Sequence, residues 1–231
     1  MEQQGKSETD RIIQRYHRRE KHKVSYSYDK NQIFEYYRNY EREAEFSKLI
    51  TLKYGNDLSS LKVLEIGAGY GVNLDFFTKI GILPRNIWAN ELLSNRVEKL
   101  KNIYPSINIL PGDALEIKFE NKFDIVLQSM LFSSVLDDNY RKLLAIKIMK
   151  FIKLNGMILW YDLSYDNPWN KDVKCIKKTE IRKLFPNMKQ QFKRTTLLPP
   201  LARVVGHYYN TLNTLCPILR THLVACITIR S

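Results

Sequence analysis

Cysteine is scarce: Cys175, Cys216 and Cys226 are the only three in 231 residues. They are scattered and odd in number, with no CxxC or Cys/His cluster around them. That excludes a disulfide framework and a cysteine-based zinc site, and no metal site of any kind is read. A reduced, cytoplasmic chain is the simplest reading. Long apolar runs are missing too. Lys147, Lys150 and Lys153 interrupt the greasiest stretch, Leu143 to Trp160, so no membrane-spanning helix is expected. The first residues, Met1-Glu2-Gln3-Gln4-Gly5, are polar where a secretory leader would be apolar, which argues against one.

Acidic residues are nearly absent from the last third. From Asn167 to Ser231 only Asp172 and Glu180 stand against twelve Lys and Arg, so this stretch carries +10 of the net +13. Three partners would explain such charge: a nucleic acid, an anionic small-molecule or lipid-linked substrate, or peripheral contact with an anionic membrane. The plainest alternative is a solvated basic face with no specific partner. Glycine is also sparing, nine residues in all, and three of the nine fall within five positions at Gly67, Gly69 and Gly71.

What is present is a regular alternation. Residues 7 to 55 carry apolar positions at helical spacing (Ile12, Ile13, Tyr16, then Ile33, Tyr36, Tyr37, Tyr40), with a polar break at Ser25 to Asn31. Two helices are expected, the first strongly basic through Arg15, Arg18, Arg19, Lys21 and Lys23. From Leu61 onward, short apolar runs alternate with helical patterns. Strands are expected at 62–66, 87–90, 107–110, 123–128 and 156–161, the last after a turn at Leu154-Asn155-Gly156. Helices are expected at 72–80, 94–104 and 138–154. This is an α/β chain with a parallel sheet covered on both faces. The tail differs. A helix at 178–184 is followed by a strand near 191–197, an insert punctuated by Pro199, Pro200 and Pro217, and a last strand near 223–229. The two terminal strands are expected to pair antiparallel at the sheet edge.

The first strand runs into Glu65-Ile66-Gly67-Ala68-Gly69-Tyr70-Gly71 and then a helix. Glycines there allow a tight turn and close backbone approach, and the helix N-terminus favours a polar ligand. The dinucleotide fingerprint G-x-G-x-x-G would place its third glycine at position 72, which is valine here; Gly71 is one place too early. Glu65, two residues before Gly67, suits a ligand with an amino group and a positive charge better than a pyrophosphate.

These residues resemble the E/D-x-G-x-G-x-G motif of class I S-adenosylmethionine (SAM)-dependent methyltransferases. The resemblance continues in order from Leu61 to Asp162. Glu91, with Leu92, follows the second strand and resembles the acid that holds both ribose hydroxyls. Gly112-Asp113-Ala114 resembles the segment around adenine, with Asp113 on the exocyclic amine. Gln128-Ser129-Met130 resembles the segment near the methyl group, and Asn73 is expected near the methionine carboxylate. The resemblance implies a Rossmann-like fold: a seven-stranded, mostly parallel sheet with an antiparallel C-terminal strand, plus N-terminal helices. It implies residues 1–55 as a helical lid and 56–231 as the methyltransferase domain, with 198–220 an insert on the acceptor side. SAM is the implied cofactor and S-adenosylhomocysteine its product.

For the acceptor, the sequence excludes more than it names. After the fourth strand stands Gln128-Ser129-Met130-Leu131-Phe132, not the Asn/Asp-Pro-Pro-Tyr-like segment of base N-methylating enzymes. No cysteine sits where cytosine-C5 enzymes need one; Cys175 is thirteen residues past Asp162. Arg15-Tyr16-x-Arg18-Arg19, Trp160-Tyr161-Asp162, Asn167-Pro168, Lys178 with Glu180-Ile181-Arg182, Leu198-Pro199-Pro200-Leu201-Ala202-Arg203 and Leu219-Arg220-Thr221-His222 resemble a group of bacterial methyltransferases linked to surface-polysaccharide and other glycan biosynthesis. That implies O-methylation of a sugar hydroxyl or a phosphate on an anionic glycan. RNA methylation and a non-catalytic SAM-binding module are the rival readings. A hydroxyl acceptor needs a base within about 3 Å. Asp162, at the end of the fifth strand, and His207, in the insert, are the expected catalytic residues, with His222 and His17 behind them. Tyr26, Tyr28, Tyr36 and Tyr37 are expected to line the same cleft.

Overall fold

A computed structural model describes residues 7–21, 28–166 and 170–229. Two helices come first, α1 (Glu8–Lys21) and α2 (Tyr28–Tyr54). The alternating part follows as β1 (Val63–Ile66), α3 (Val72–Lys79), β2 (Ile87–Glu91), α4 (Ser94–Ile103), β3 (Asn108–Pro111), β4 (Phe123–Ser129), α5 (Asp138–Phe151) and β5 (Ile152–Leu163). The tail comprises α6 (Lys178–Leu184), β6 (Met188–Leu197), α7 (Pro199–Val205), α8 (Tyr209–Leu215) and β7 (Arg220–Ile229).

All seven strands form one sheet in the order β3-β2-β1-β4-β5-β7-β6. β7 alone runs antiparallel, paired to β5 on one side and β6 on the other. Chain order reverses between β1 and β4, which opens a crevice at their carboxyl ends. The inner strands are apolar throughout because both faces are covered. One core packs Phe123, Phe151, Trp160 and Phe185 on one face of the sheet; the other packs Phe46, Phe77, Leu159 and Tyr161 beneath α2 and α3.

Three local expectations need correction. Asp29 to Asn31, read as part of a break, lie inside α2. No turn separates α5 from β5: the strand starts at Ile152 and passes Gly156 as an irregularity opposite β4. A Cβ on Gly156 would sit 3.0 Å from the Lys153 carbonyl and 3.1 Å from that of Phe123, so backbone crowding explains the glycine. The Pro-punctuated insert is two helices. Pro199 and Pro200 occupy the first turn of α7, where their missing N–H costs nothing. Phe34 of α2 packs with Leu197, Ala202 and Tyr209, and the Glu41 carboxylate takes the Thr196 amide, the Tyr209 hydroxyl and the Asn213 amide. α2 thereby holds the insert against the sheet edge.

Candidate active site

Between β1 and α3 the backbone turns through Gly67, Gly69 and Gly71 at φ +71°, +60° and +83°. L side chains are strained at all three, but their surroundings differ. A Cβ on Gly71 would lie 2.5 Å from the Tyr104 ring, whereas one on Gly69 would meet nothing within 4 Å. Gly71 therefore serves packing, and Gly69 borders open space. The loop is fixed from the side by β2: Ala68 donates its N–H to the Asn90 carbonyl at 2.8 Å. Glu91 accepts the Gly69 N–H at 2.7 Å on one carboxylate oxygen and the Leu93 N–H at 2.9 Å on the other.

Glu65 is almost wholly buried. One of its oxygens accepts Asn73 Nδ2 at 2.5 Å. Its other oxygen and Asn73 Oδ1 are buried acceptors without a donor. Burial pushes the Glu65 carboxyl up to about 8, against the opposing pull of the Asn73 hydrogen bond and the Arg42 charge. Two orphan acceptors on a cleft wall suit a ligand that brings N–H donors and positive charge. The amino group and sulfonium of SAM supply both, so the residues present fit it.

Across the cleft, Asp113 follows β3 and is ringed by donors. Its Oδ1 accepts the Leu115 N–H at 2.9 Å and the Tyr140 hydroxyl at 2.6 Å, and its Oδ2 accepts the Thr9 hydroxyl at 2.6 Å. Asn90 anchors this loop by donating to the carbonyls of Leu110 and Gly112. α1 spans the opening. Ile12 and Tyr16 line the cleft from that helix, and the Tyr16 hydroxyl reaches Ser134 Oγ at 3.1 Å. The charges of α1 are largely matched within the fold: Arg15 pairs with Glu8, Arg18 and Arg19 with Asp172, and Glu20 with Arg96. This helix, read as strongly basic, is thus knitted to the domain instead of offering a free basic face.

The cleft gathers Glu65, Gly67, Ala68, Gly69, Asn73, Glu91, Leu92, Gly112, Asp113, Ala114 and Ser129 on its wall. Gly71 lies just behind it. Gln128 faces elsewhere: fully buried, its carbonyl accepts the N–H groups of Leu131 and Phe132 and shapes the turn after β4. Asp162 also turns away from the cleft. Its carboxylate is fully buried and accepts the N–H groups of Ser133 at 3.1 Å and Leu163 at 2.9 Å; burial pushes it up to about 6. His207 is exposed between α7 and α8 and is not on the cleft wall. The geometry therefore does not bring Asp162 and His207 together. His222 lies buried, stacked on Tyr161 at 5.0 Å and pushed down to about 3, while His17 points to solvent on α1. Tyr36 is exposed and Tyr37 stacks on Tyr209, so neither lines the cleft. Tyr26 and the side chain of Tyr28 lie outside the described residues, as do Lys23 and the Asn167-Pro168 pair.

Residues at the site that escape sequence reading include Thr9, Tyr140, Arg96, Arg38 and Arg42. Arg38 and Arg42 are four apart on α2 and share a face, a spacing visible in the sequence but masked by the surrounding tyrosines. Met130, after β4, lines the cleft at φ +59°, an uncommon conformation held by its N–H bond to the Tyr161 carbonyl at 2.8 Å. Among the described residues there is no cluster fit for a metal ion, and no helix is long and apolar enough to cross a membrane.

No protein-family model matches the chain. A malonyl-[acyl-carrier protein] O-methyltransferase of Calditerrivibrio nitroreducens is 27% identical over 189 residues, 81% of this chain and 68% of the relative. Among solved structures, the 1,6-didemethyltoxoflavin-N1-methyltransferase of Burkholderia thailandensis, with 1,6-didemethyltoxoflavin and S-adenosylhomocysteine bound, aligns at TM-score 0.61 and 14% identity, covering 96% of this chain and 87% of that one. A SAM-dependent methyltransferase from Archaeoglobus fulgidus aligns at TM-score 0.54 and 15% identity, over 80% and 94% of the two chains. These structural likenesses show the fold. The chain thus has the fold of these SAM-dependent methyltransferases, and the motifs read from its sequence lie in order along it.

Proposed function

We propose that the protein transfers the methyl group of SAM to an oxygen of a small anionic acceptor, with α1 and α2 as the lid over the cleft. The observation that carries this reading is the pair of orphan acceptors on Glu65 and Asn73, next to an acid, Glu91, that braces the glycine loop. SAM supplies an electrophilic methyl group when bound; the chain's tasks are to hold, orient and exclude water. Glu65 and Asn73 face its amino end, Glu91 its ribose, and Gly112 to Ala114 its base. Ser129, Met130 and Leu131 close the cleft beside the reacting carbon.

Oxygen as the acceptor atom is supported by the relative, which is an O-methyltransferase. A small acceptor is favoured over RNA because α1 roofs the cleft and its arginines are engaged within the fold. Anionic glycans, the acceptors implied by the likeness of the tail, fall within this class where they carry phosphate or acidic sugars. Calorimetry with SAM, S-adenosylhomocysteine and NAD, on the wild type and Gly69→Arg, tests the cofactor. The wild type is expected to bind the first two and not NAD, and the variant none. Binding of NAD alone would overturn the reading.

A further inference from the structure

Arg42 is a buried cation with no acid hydrogen-bonded to its Nε or Nη2. It is 3% exposed, yet its Nε and Nη2 make no hydrogen bond. The Glu43 carboxylate is 4.0 Å away, and the guanidinium otherwise lies over the Tyr161 ring at 5.4 Å. Among the described residues the cleft wall holds two further cations, Arg38, ion-paired with Glu35 but with its Nε unpartnered, and Arg96, paired with Glu20. A buried charge left this way is costly, and burial pulls the Arg42 guanidinium below its ordinary range. A ligand that brings an anion to those open N–H groups offsets that cost.

The same wall holds no free base for a neutral acceptor. Among the described residues no histidine lines the cleft. Glu91 and Asp113 are saturated by backbone and hydroxyl donors. Asp162 is turned away, and the Tyr140 hydroxyl, bonded to Asp113, is pushed above its ordinary range. Glu65 faces the amino end of SAM in the reading above, on which the present inference rests.

We propose that the acceptor oxygen enters already ionised, as a carboxylate held by Arg42 with Arg38 beside it, and leaves as a methyl ester. A carboxylate offers about four lone-pair sites, so one oxygen can stay on a guanidinium while the other reacts. The carboxylate oxygen forms a bond to the methyl carbon, and the carbon–sulfur bond breaks with its electron pair going to sulfur. The negative charge of the acid and the positive charge of the sulfonium disappear together. No proton moves, so no base is required. One guanidinium with open N–H groups suits one negative charge; a phosphate dianion would leave an excess beside Glu65 and Glu91.

The test uses the full chain saturated with S-adenosylhomocysteine and titrated calorimetrically with malonate, benzoate, glucuronate and inorganic phosphate. At least one carboxylate is expected to bind, and phosphate is not. Arg42→Met is expected to weaken that carboxylate about tenfold or more, Arg42→Lys to restore part of it, and S-adenosylhomocysteine affinity to change by less than about threefold. Thermal melting gives a reading independent of ligand: Arg42→Met is expected to melt at or above the wild-type temperature, since a buried unpaired charge is removed. Methyl-labelled SAM incubated with the binding carboxylate is expected to give a product that releases labelled methanol in mild alkali. The proposal is overturned if no carboxylate binds the saturated protein, if phosphate binds instead, or if the product is alkali-stable. It is overturned equally if Arg42→Met lowers S-adenosylhomocysteine affinity about tenfold and spares the carboxylate, which would give Arg42 to the cofactor. Failure of the wild type to bind S-adenosylhomocysteine at all would instead strike the underlying cofactor reading.

Discussion

The hydroxyl of Thr9 donates to Asp113 Oδ2 at 2.6 Å, a bond between the first helix and the loop after β3 that closes across 104 residues. It is one of several polar ties holding α1 over the cleft, with the Leu136 N–H to Glu8 at 3.1 Å, Tyr16 to Ser134, Arg19 to Asp172 and Arg96 to Glu20. Thr9→Val keeps the shape and removes the donor. It is expected to cost the fold no more than about 1 kcal/mol. Amide exchange in α1 should quicken, and S-adenosylhomocysteine should leave several-fold faster. Unchanged exchange in α1 would show that this bond does not hold the roof.

Glu91 has a double role that one substitution cannot separate but two can. Both of its oxygens accept backbone N–H groups, from Gly69 and Leu93. Glu91→Ala leaves two donors unsatisfied at about 1–3 kcal/mol each. The melting temperature should fall, and S-adenosylhomocysteine binding should weaken by about a hundredfold, as a lost charge-assisted contact and a loosened loop act together. Glu91→Gln keeps one acceptor oxygen and should fall between the two. Equal ligand affinity in all three proteins would remove Glu91 from the cofactor site.

The glycine loop predicts a contrast between neighbours. Gly71→Ala puts a Cβ 2.5 Å from the Tyr104 ring and 2.9 Å from Leu100 at a φ of +83°. Strain and overpacking together should cost about 2–5 kcal/mol of stability. Gly69→Ala meets no neighbour, so only the backbone term of about 1–2 kcal/mol applies. Its main effect should be on the ligand, whose space the new methyl enters. Chemical unfolding of the two variants, set beside calorimetry with S-adenosylhomocysteine, would show whether stability and binding separate as stated.

How much of this was legible follows from locality. The apolar run 63–66, the glycines behind it and the acids after β2 and β3 are short-range features, and strand period plus glycine conformation suffice to find them. Which way a side chain turns at a strand end is not local. Asp162 sits at the carboxyl end of β5 as the sequence implies, yet its carboxylate goes to the Ser133 amide because the turn after β4 leaves that N–H unpaired. Arg42 becomes a cleft residue only because α2 lies across Tyr161, a contact between helix and sheet 119 positions apart. The helices α7 and α8 are seven residues each, too short to stand alone, and they form against Glu41 and Phe34 of α2.

Glu65 makes stability depend on pH in a predictable direction. Its carboxyl is pushed from an ordinary 4.5 up to about 8 by burial, with Arg42 pulling down and Glu91 pushing up. Between those values the folded chain holds a proton that the unfolded chain releases. The stability tied to that proton is therefore complete below pH 4.5, declines as pH rises, and is gone above about 8. The decline from one group is about 1.4 kcal/mol per pH unit. Glu65→Gln has no proton to lose, so the wild-type and variant stability curves should run parallel at acid pH and diverge steadily toward pH 8, the wild type falling away. Ligand binding follows the same logic with the opposite sign. A cation placed against Glu65 favours its ionised form, so binding SAM near neutral pH should expel a proton. Calorimetry in two buffers of unlike ionisation enthalpy should then give different apparent heats for the wild type and the same heat for Glu65→Gln. Identical wild-type heats in both buffers would mean that Glu65 is already ionised, or that the positive end of the ligand lies elsewhere.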